Sequence, residues 1–324
     1  MFSNFKRLSF KHKNNKFWYY FKNNARQFIP TSIFQKRLEQ KLNSIQEFDS
    51  NYIQKRVDYY NQLDEICEIS ENAQPLSGLK LGKKMKTYFF DTYEYIRYFN
   101  QNLKASFLFG DVIHIPDEPS FVKSRPINGI IKNSVLLNLD KVRHFLFVND
   151  KKTFESKKSI LLGRSKAHQP HRIKFLEMYF NHPLCDIGQV NTNMNQHFIA
   201  NRMTISEHLD YKYILCLEGN DVASNLKWVM SSNSLAVMPK PVYETWFMEG
   251  SLIPDFHYVH IKDDYSDLEE KLNYYNTHTA EALKIVENAH KYINQFKNKK
   301  QEDLISLLVI KKYLKMTGQE NDTN

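Results

Sequence analysis

An α/β fold built on a parallel sheet is the class this sequence predicts, on three observations. Short apolar runs recur with helix-like stretches between them: SILLGRS at 159–165, CDIGQV at 185–190, YILCL at 213–217 and LAVM at 235–238. Strand, loop and helix in alternation make a parallel sheet with helices on its faces. Each run also ends in a polar loop, and such sheets bind ligands outside the C-terminal ends of their strands. Finally, the stretch from 268 onward carries apolar positions at helical spacing, which predicts closing helices.

Taken in order, residues 31–65 place Leu38, Leu42, Ile45 and Phe48 at helical spacing and read as helix with a connecting turn. Residues 74–84, with Pro75, Gly78 and Gly82, read as a loop. Residues 88–99 predict a helix whose aromatic stripe belongs to the core. In 107–127, FLFGDVIHIPDEPSFVKSRPI, strand-like runs are broken by Gly110 and prolines, and Asp111, His114, Asp117, Lys123, Ser124 and Arg125 gather. Two readings stay open there: a catalytic base with anion-binding groups, or a surface loop with an ordinary ion pair.

Residues 142–148, VRHFLFV, predict a strand. Arg164 ends the next run, Arg172 lies in the loop after it, and a helix is expected over 173–180. Arginines in a strand-end loop suit a diphosphate, because guanidinium groups make paired, charge-assisted bonds to phosphate oxygens. After 213–217 comes Glu218-Gly219-Asn220-Asp221, with a helix expected over 221–232. The unsatisfied N–H groups opening that helix could hold a phosphate, and Asp221 could equally be its N-cap. Glu218 could accept hydroxyls of ribose or sugar, or pair with Lys227. The run 235–238 leads to Pro239-Lys240-Pro241 and on to Glu244, Trp246 and Glu249.

A chain of 324 residues with 42% hydrophobic content suits two domains. Cys67, Cys185 and Cys216 are odd in number and lack C-x-x-C spacing, so buried thiols in a reducing compartment are expected, with neither a disulfide framework nor a zinc site. No apolar run approaches the ~18 residues of a spanning helix, so the expectation is an intracellular soluble or peripheral protein. The net charge of +9 is uneven: no acidic residue precedes Glu39, while Lys6, Arg7, Lys11, Lys13, Lys16, Lys22 and Arg26 surround Phe17-Trp18-Tyr19-Tyr20-Phe21. Such an arm, residues 1–26, fits an anionic membrane surface or a solvated, partly packed segment. Nucleic acid ranks behind both, because basic charge alone says little about it.

Other patterns are set aside. The Asp-rich stretch 262–267 precedes a helical run and reads as capping. His168 and His171 lack a third ligand, so no metal is expected. Gly-x-Gly-x-x-Gly and P-loop patterns are absent, which argues against a standard dinucleotide enzyme or P-loop ATPase.

Several ordered segments together carry a resemblance: VKSRPI (122–127), GRSKAHQPHR (163–172), YILCLEGNDVASNLKWVMSSNSLAVMPK (213–240), ETWFMEG (244–250) and PDFHYVHIKDDYSDL (254–268). Over roughly residues 85–315 the chain resembles glycosyltransferase family 90, most nearly its bacterial lipopolysaccharide branch. The resemblance implies a GT-B-like enzyme, two Rossmann-type domains facing across a cleft, with a helical N-terminal arm and a C-terminal helix. Residues 1–150 would hold the arm and the acceptor-side domain, and 151–324 the nucleotide-sugar domain. It implies an inverting transferase that uses a nucleotide sugar, expected to be a UDP-sugar, with no metal and no cofactor. The acceptor would be a lipopolysaccharide or capsule saccharide, on a lipid carrier, met at the cytoplasmic face of the inner membrane. Asp111 matches the family's base, with Asp117 the runner-up. Donor contacts fall on Arg164, Arg172, Glu218, Gly219, Asn220, Asp221, Val222, Ser224, Asn225 and Lys227, and further cleft residues are Lys123, Ser124, Arg125, Lys240 and Glu244. Ser165 stands where the family usually has glycine, Gly163 where an aromatic is common, and Asn225 where eukaryotic relatives have arginine. The last helix would either return to the N-terminal domain or stay on the C-terminal one. The competing reading is a non-catalytic or nucleic-acid-binding protein that keeps the fold and uses its basic surface.

Overall fold

Apolar runs between 158 and 260 lie side by side in the computed structural model, which describes residues 12–319. The chain divides into two units. Of the described residues, one holds 12–14, Arg143–Pro241 and Ser251–Gln295, and the other holds Asn15–Val142, Val242–Gly250 and 296–319. Lys6, Arg7 and Lys11 of the basic arm lie outside the described residues.

The first unit is built on five strands: β6 (Lys158–Ser165), β7 (Cys185–Gln189), β8 (Tyr211–Leu215), β9 (Leu235–Met238) and β11 (Val259–His260). All pair in parallel, in the order β11-β9-β8-β6-β7. Helices Pro170–Tyr179, Ile205–His208 and Leu226–Met230 connect them, and Leu268–Thr277 and Thr279–Asn294 follow. Its core is Phe154, Leu161, Phe175, Tyr213, Val237, Val259, Tyr265 and their neighbours. Gly163, where the resemblance leads one to expect an aromatic, has no room for one. A Cβ there would sit 3.1 Å from both Ile187 and Leu215 side chains on the flanking strands.

Numbered along the chain, the order is 2-1-3-4-5 read from β7. The connection from β6 runs outward to β7, whereas the chain then returns past β6 to β8 and continues the other way. Between β6 and β8 the loops therefore diverge, which makes a crevice at the C-terminal ends of those two strands.

The second unit has a sheet of order β1-β2-β3-β5, from Gln74–Pro75, Lys104–Leu108, Ser120–Val122 and Ser134–Leu136. β2, β3 and β5 are parallel, and β1 is antiparallel at the edge. A separate ribbon pairs β4 (Ser124–Pro126) with β10 (Tyr243–Thr245), antiparallel, Arg125 opposite Glu244. Helices Ser50–Tyr60, Lys86–Ile96 and Lys299–Met316 pack in this unit. Of the two alternatives for the last helix, its place is beside the helices of the N-terminal half. Trp246 stacks on Tyr60 at 3.8 Å between centroids, and its indole N–H reaches Glu302 of that last helix.

Two predicted elements differ. Residues 142–148 are not a strand: one helical turn, Lys141–His144, gives way to irregular chain. Asp140 takes a left-handed conformation, and the backbone N–H of Lys141 donates to Asp91 Oδ2 at 2.8 Å. Capture of that turn by a buried carboxylate overrides the strand-like composition. The helix expected over 221–232 is only Leu226–Met230. Gly219 N–H bonds Asp221 O at 3.1 Å and Asn225 Nδ2 bonds Leu215 O at 2.9 Å, which keeps 218–225 as a loop. At the other end the Ser231 and Ser232 hydroxyls donate to Trp228 O and Val229 O and stop the helix. Asp221 is therefore not an N-cap, and the phosphate-holding helix start expected there is not formed.

Candidate active site

The crevice between β6 and β8 is organised by Arg172. It sits in the first turn of helix Pro170–Tyr179, opened by a proline that supplies no N–H where none is needed. Its Nε donates to Glu218 O at 2.7 Å, Nη2 to Leu217 O at 2.8 Å and Nη1 to Lys166 O at 2.8 Å. One guanidinium thus ties the loop after β6 to the loop after β8. His171 Nε2 donates to the same Glu218 carbonyl at 2.9 Å, and Gln169 Nε2 reaches Asn220 Oδ1 at 2.9 Å. Among the described residues, Arg172 binds carbonyl oxygens and no carboxylate. Burial accordingly pulls its pKa down to about 10, with Tyr265 and Glu218 opposing the shift.

Arg164 is placed differently. Its Nη2 pairs with Asp186 Oδ1, its Nη1 bonds Asp186 O at 2.7 Å and its Nε bonds Asn201 O at 3.0 Å. The guanidinium is thus held over β7, the edge strand. The cation standing where β6 ends is Lys166, exposed, and exposed lysines also follow β9 and β11, at Lys240 and Lys262. Lys166 and Lys262 escaped the sequence reading, although each lies just past an apolar run. Lys227 is fully buried, its ammonium 5.7 Å from the Phe145 ring centroid. Asp221 and Val222 are buried, Ser224 is exposed and Asn225 serves the loop backbone. Glu218, Gly219 and Asn220 remain at the crevice, with Glu218 half-buried. His168 and His171 engage Met194 and Glu218 respectively.

In the second unit, Gly110 takes φ +124°, a conformation that side-chain-bearing residues rarely adopt, and turns the chain after β2 so that Asp111 stands at its end. Lys123, itself buried, directs its ammonium onto Asp111 Oδ1. Ser124 Oγ accepts from Val112 N–H and donates to Val112 O, both at 3.1 Å, pinning the same loop. Arg125 and Glu244 are wholly buried partners, Nε to Oε1 at 2.8 Å, and Arg125 also donates to Ser134 O at 3.0 Å and Tyr59 O at 2.7 Å. The pair joins the two strands of the ribbon across its register. Asp117 lies apart from this arrangement, in the wall of a 440 Å³ pocket with His114, Glu118, Ser106 and Gln74. The structure thus brings Asp111, Lys123 and Ser124 together and leaves Asp117 in another environment.

The sequence profile of "Glycosyl transferase family 90" matches residues 147–320. A relative named "O-glucosyltransferase LpsA", from Dichelobacter nodosus, is 44% identical over 265 residues, spanning 82% of this chain and 83% of its own. The chain belongs to glycosyltransferase family 90. It is a glycosyltransferase, and the profile match takes in the five-stranded sheet with its crevice between β6 and β8. The described residues thus present fixed positive charge at the β6–β8 crevice, from Arg172, and an oriented carboxylate at the end of β2, Asp111.

Proposed function

We propose that the protein transfers a sugar from a UDP-sugar to a hydroxyl of a bacterial lipopolysaccharide or capsule saccharide, with inversion and without a metal. On this reading the fold is of GT-B type. The observation that carries it is Arg172, a half-buried guanidinium pinning two strand-end loops at a topological switch point and, among the described residues, bonded to carbonyl oxygens and no carboxylate. A diphosphate answers that charge, exposed Lys166 and Lys240 add to it, and Glu218 is suited to accept ribose or sugar hydroxyls.

The acceptor hydroxyl is a weak nucleophile near neutral pH, and Asp111 takes its proton as the oxygen attacks the anomeric carbon. The bond from that carbon to the phosphate oxygen breaks, and UDP leaves with the electron pair. Charge developing on the leaving oxygen meets fixed cations. Attack from the face opposite the departing group converts an α-linked donor to a β-linked product. The relative's name makes glucose the first sugar to test, and the acceptor class implies work at the cytoplasmic face of the membrane.

The test is release of UDP from a panel of UDP-, GDP- and CMP-sugars in excess EDTA, with and without lipopolysaccharide acceptor fractions. Turnover of one UDP-sugar despite the chelator is expected. Donor use restricted to another nucleotide, or activity abolished by EDTA and restored by a divalent ion, would overturn the reading.

A further inference from the structure

The helix Lys16–Gln27 is fastened by one face and bare on the other. Tyr19 Oη donates to Asp91 Oδ1 at 2.8 Å, Arg26 pairs with Glu94 at 2.7 Å, and Arg97 donates to Arg26 O at 3.0 Å. Asn23, between them, is buried. These contacts set the helix's rotation about its axis. At about 100° per residue, Phe17, Phe21, Ala25 and Phe28 then fall in one line with Trp18 beside them, a stripe roughly 100° wide on the opposite face. Phe17 is 79% exposed, Trp18 59%, Phe21 56% and Phe28 88%. Their rings are already arranged: Trp18 and Phe21 stack at 5.5 Å, Phe17 and Phe21 at 6.4 Å. The exposed Lys16 and Lys22 lie on the same helix, exposed Lys13 just precedes it, and the first acidic residue is Glu39.

We infer that this face is the seat of an anionic lipid bilayer: the aromatic stripe enters the headgroup boundary and the lysines meet lipid phosphates. Aromatic residues in one line suit hydrocarbon, Trp18 suits the interface, and basic residues without acidic ones complement an anionic leaflet. Among the described residues no helix is long and apolar enough to cross a membrane, and the contact assigned here lies in the plane of the surface. It extends the proposed function to a partner surface, and its test is read without any turnover, so failure of either leaves the other standing.

The full-length protein is mixed with vesicles rich in phosphatidylglycerol and, separately, with pure phosphatidylcholine vesicles, and bound protein is measured by co-sedimentation. Binding to the anionic vesicles, weakened by salt, is expected. Trp18 emission should shift to the blue on binding; Trp228 and Trp246 are buried and supply a constant background. Phe17→Ser, Trp18→Ser and Phe21→Ser combined should lower vesicle affinity at least about tenfold, and Lys16→Glu with Lys22→Glu should do so while leaving the apolar stripe intact. An unchanged far-ultraviolet circular dichroism spectrum and unfolding midpoint show that each variant is folded. Absence of binding to anionic vesicles, equal binding by the triple variant, or a concentration-dependent dimer that the triple variant abolishes would each overturn the assignment.

Discussion

Replacing Arg172 separates loop anchoring from ligand charge. Arg172→Met removes three charge-assisted bonds to Glu218 O, Leu217 O and Lys166 O. Bonds of this kind contribute about 1.5–3 kcal/mol each before the freed carbonyls find water, and the strand-end loops allow some of that recovery. Met also relieves the desolvation that lowers the guanidinium pKa, so a net loss of about 1–2 kcal/mol follows. Loss of a desolvated cation facing a diphosphate should independently weaken UDP affinity by about 2–4 kcal/mol, roughly 30- to 1,000-fold. Arg172→Lys keeps the charge and loses the fork. It should recover much of the UDP affinity while remaining destabilised, because one ammonium cannot span three carbonyls on two loops. The guanidinium pKa is lowered to about 10, so it stays fully charged near neutral pH and adds no pH dependence to UDP binding there. A cation with a depressed folded pKa weighs against the fold at neutral pH, and a bound dianion relieves that weight. Denaturant unfolding with and without UDP, and calorimetric titration of UDP, read both quantities. Arg172→Met with unchanged UDP affinity would refute the ligand role, and unchanged stability would refute the anchoring.

Three further outcomes are expected. Asp111→Asn should keep UDP affinity and lower kcat by about 100-fold or more, whereas Asp117→Asn should leave kcat within a small factor; the reverse pattern moves the base to the pocket beside Glu118 and His114. Glu244→Gln breaks the buried pair with Arg125 and should cost about 3–5 kcal/mol in unfolding experiments, because it strands a buried guanidinium; a near-neutral result would show that carbonyls alone satisfy Arg125. Burial lifts the Asp91 carboxyl to about 6, against Lys141 and Tyr19, which favour its charged form. Its contribution is fully present below the ordinary carboxylate pKa and is lost as pH rises to about 6, worth roughly 3 kcal/mol. Comparing stability across that window with Asp91→Asn should show the slope flattened.

The parallel sheet was legible because its signal is local. Runs such as SILLGRS and LAVM are apolar enough to be buried on both faces, and β6, β7 and β9 lie within a residue of where those runs place them. Residues 142–148 misled because their composition is strand-like while their conformation is set by Asp91, about fifty positions earlier. The 221–232 helix misled for a related reason: Asn225 is diverted to Leu215 O, a partner that only the folded sheet supplies. The Glu218 turn and Arg172 could be read as candidates, since one is a strand end and the other an arginine after a strand. Their union through backbone carbonyls could not.

Arg164 and Lys166 carry this point further. Both are cations at the end of β6, and spacing alone cannot rank them. Arg164 lies within the ladder opposite Gly188, where Asp186 on the neighbouring strand takes its guanidinium. Lys166 is past the last paired residue and faces solvent, while its carbonyl is held by Arg172. Charge at a strand end becomes available to a ligand only when no neighbouring strand has claimed it. If a diphosphate occupies this crevice, Lys166→Ala should weaken UDP binding while stability stays near wild type, and Arg164→Ala should do the opposite by freeing Asp186 at the sheet edge. Equal losses of UDP affinity in both variants would mean that Arg164 leaves Asp186 when the donor binds, and that the ion pair at β7 is the resting state of a ligand contact.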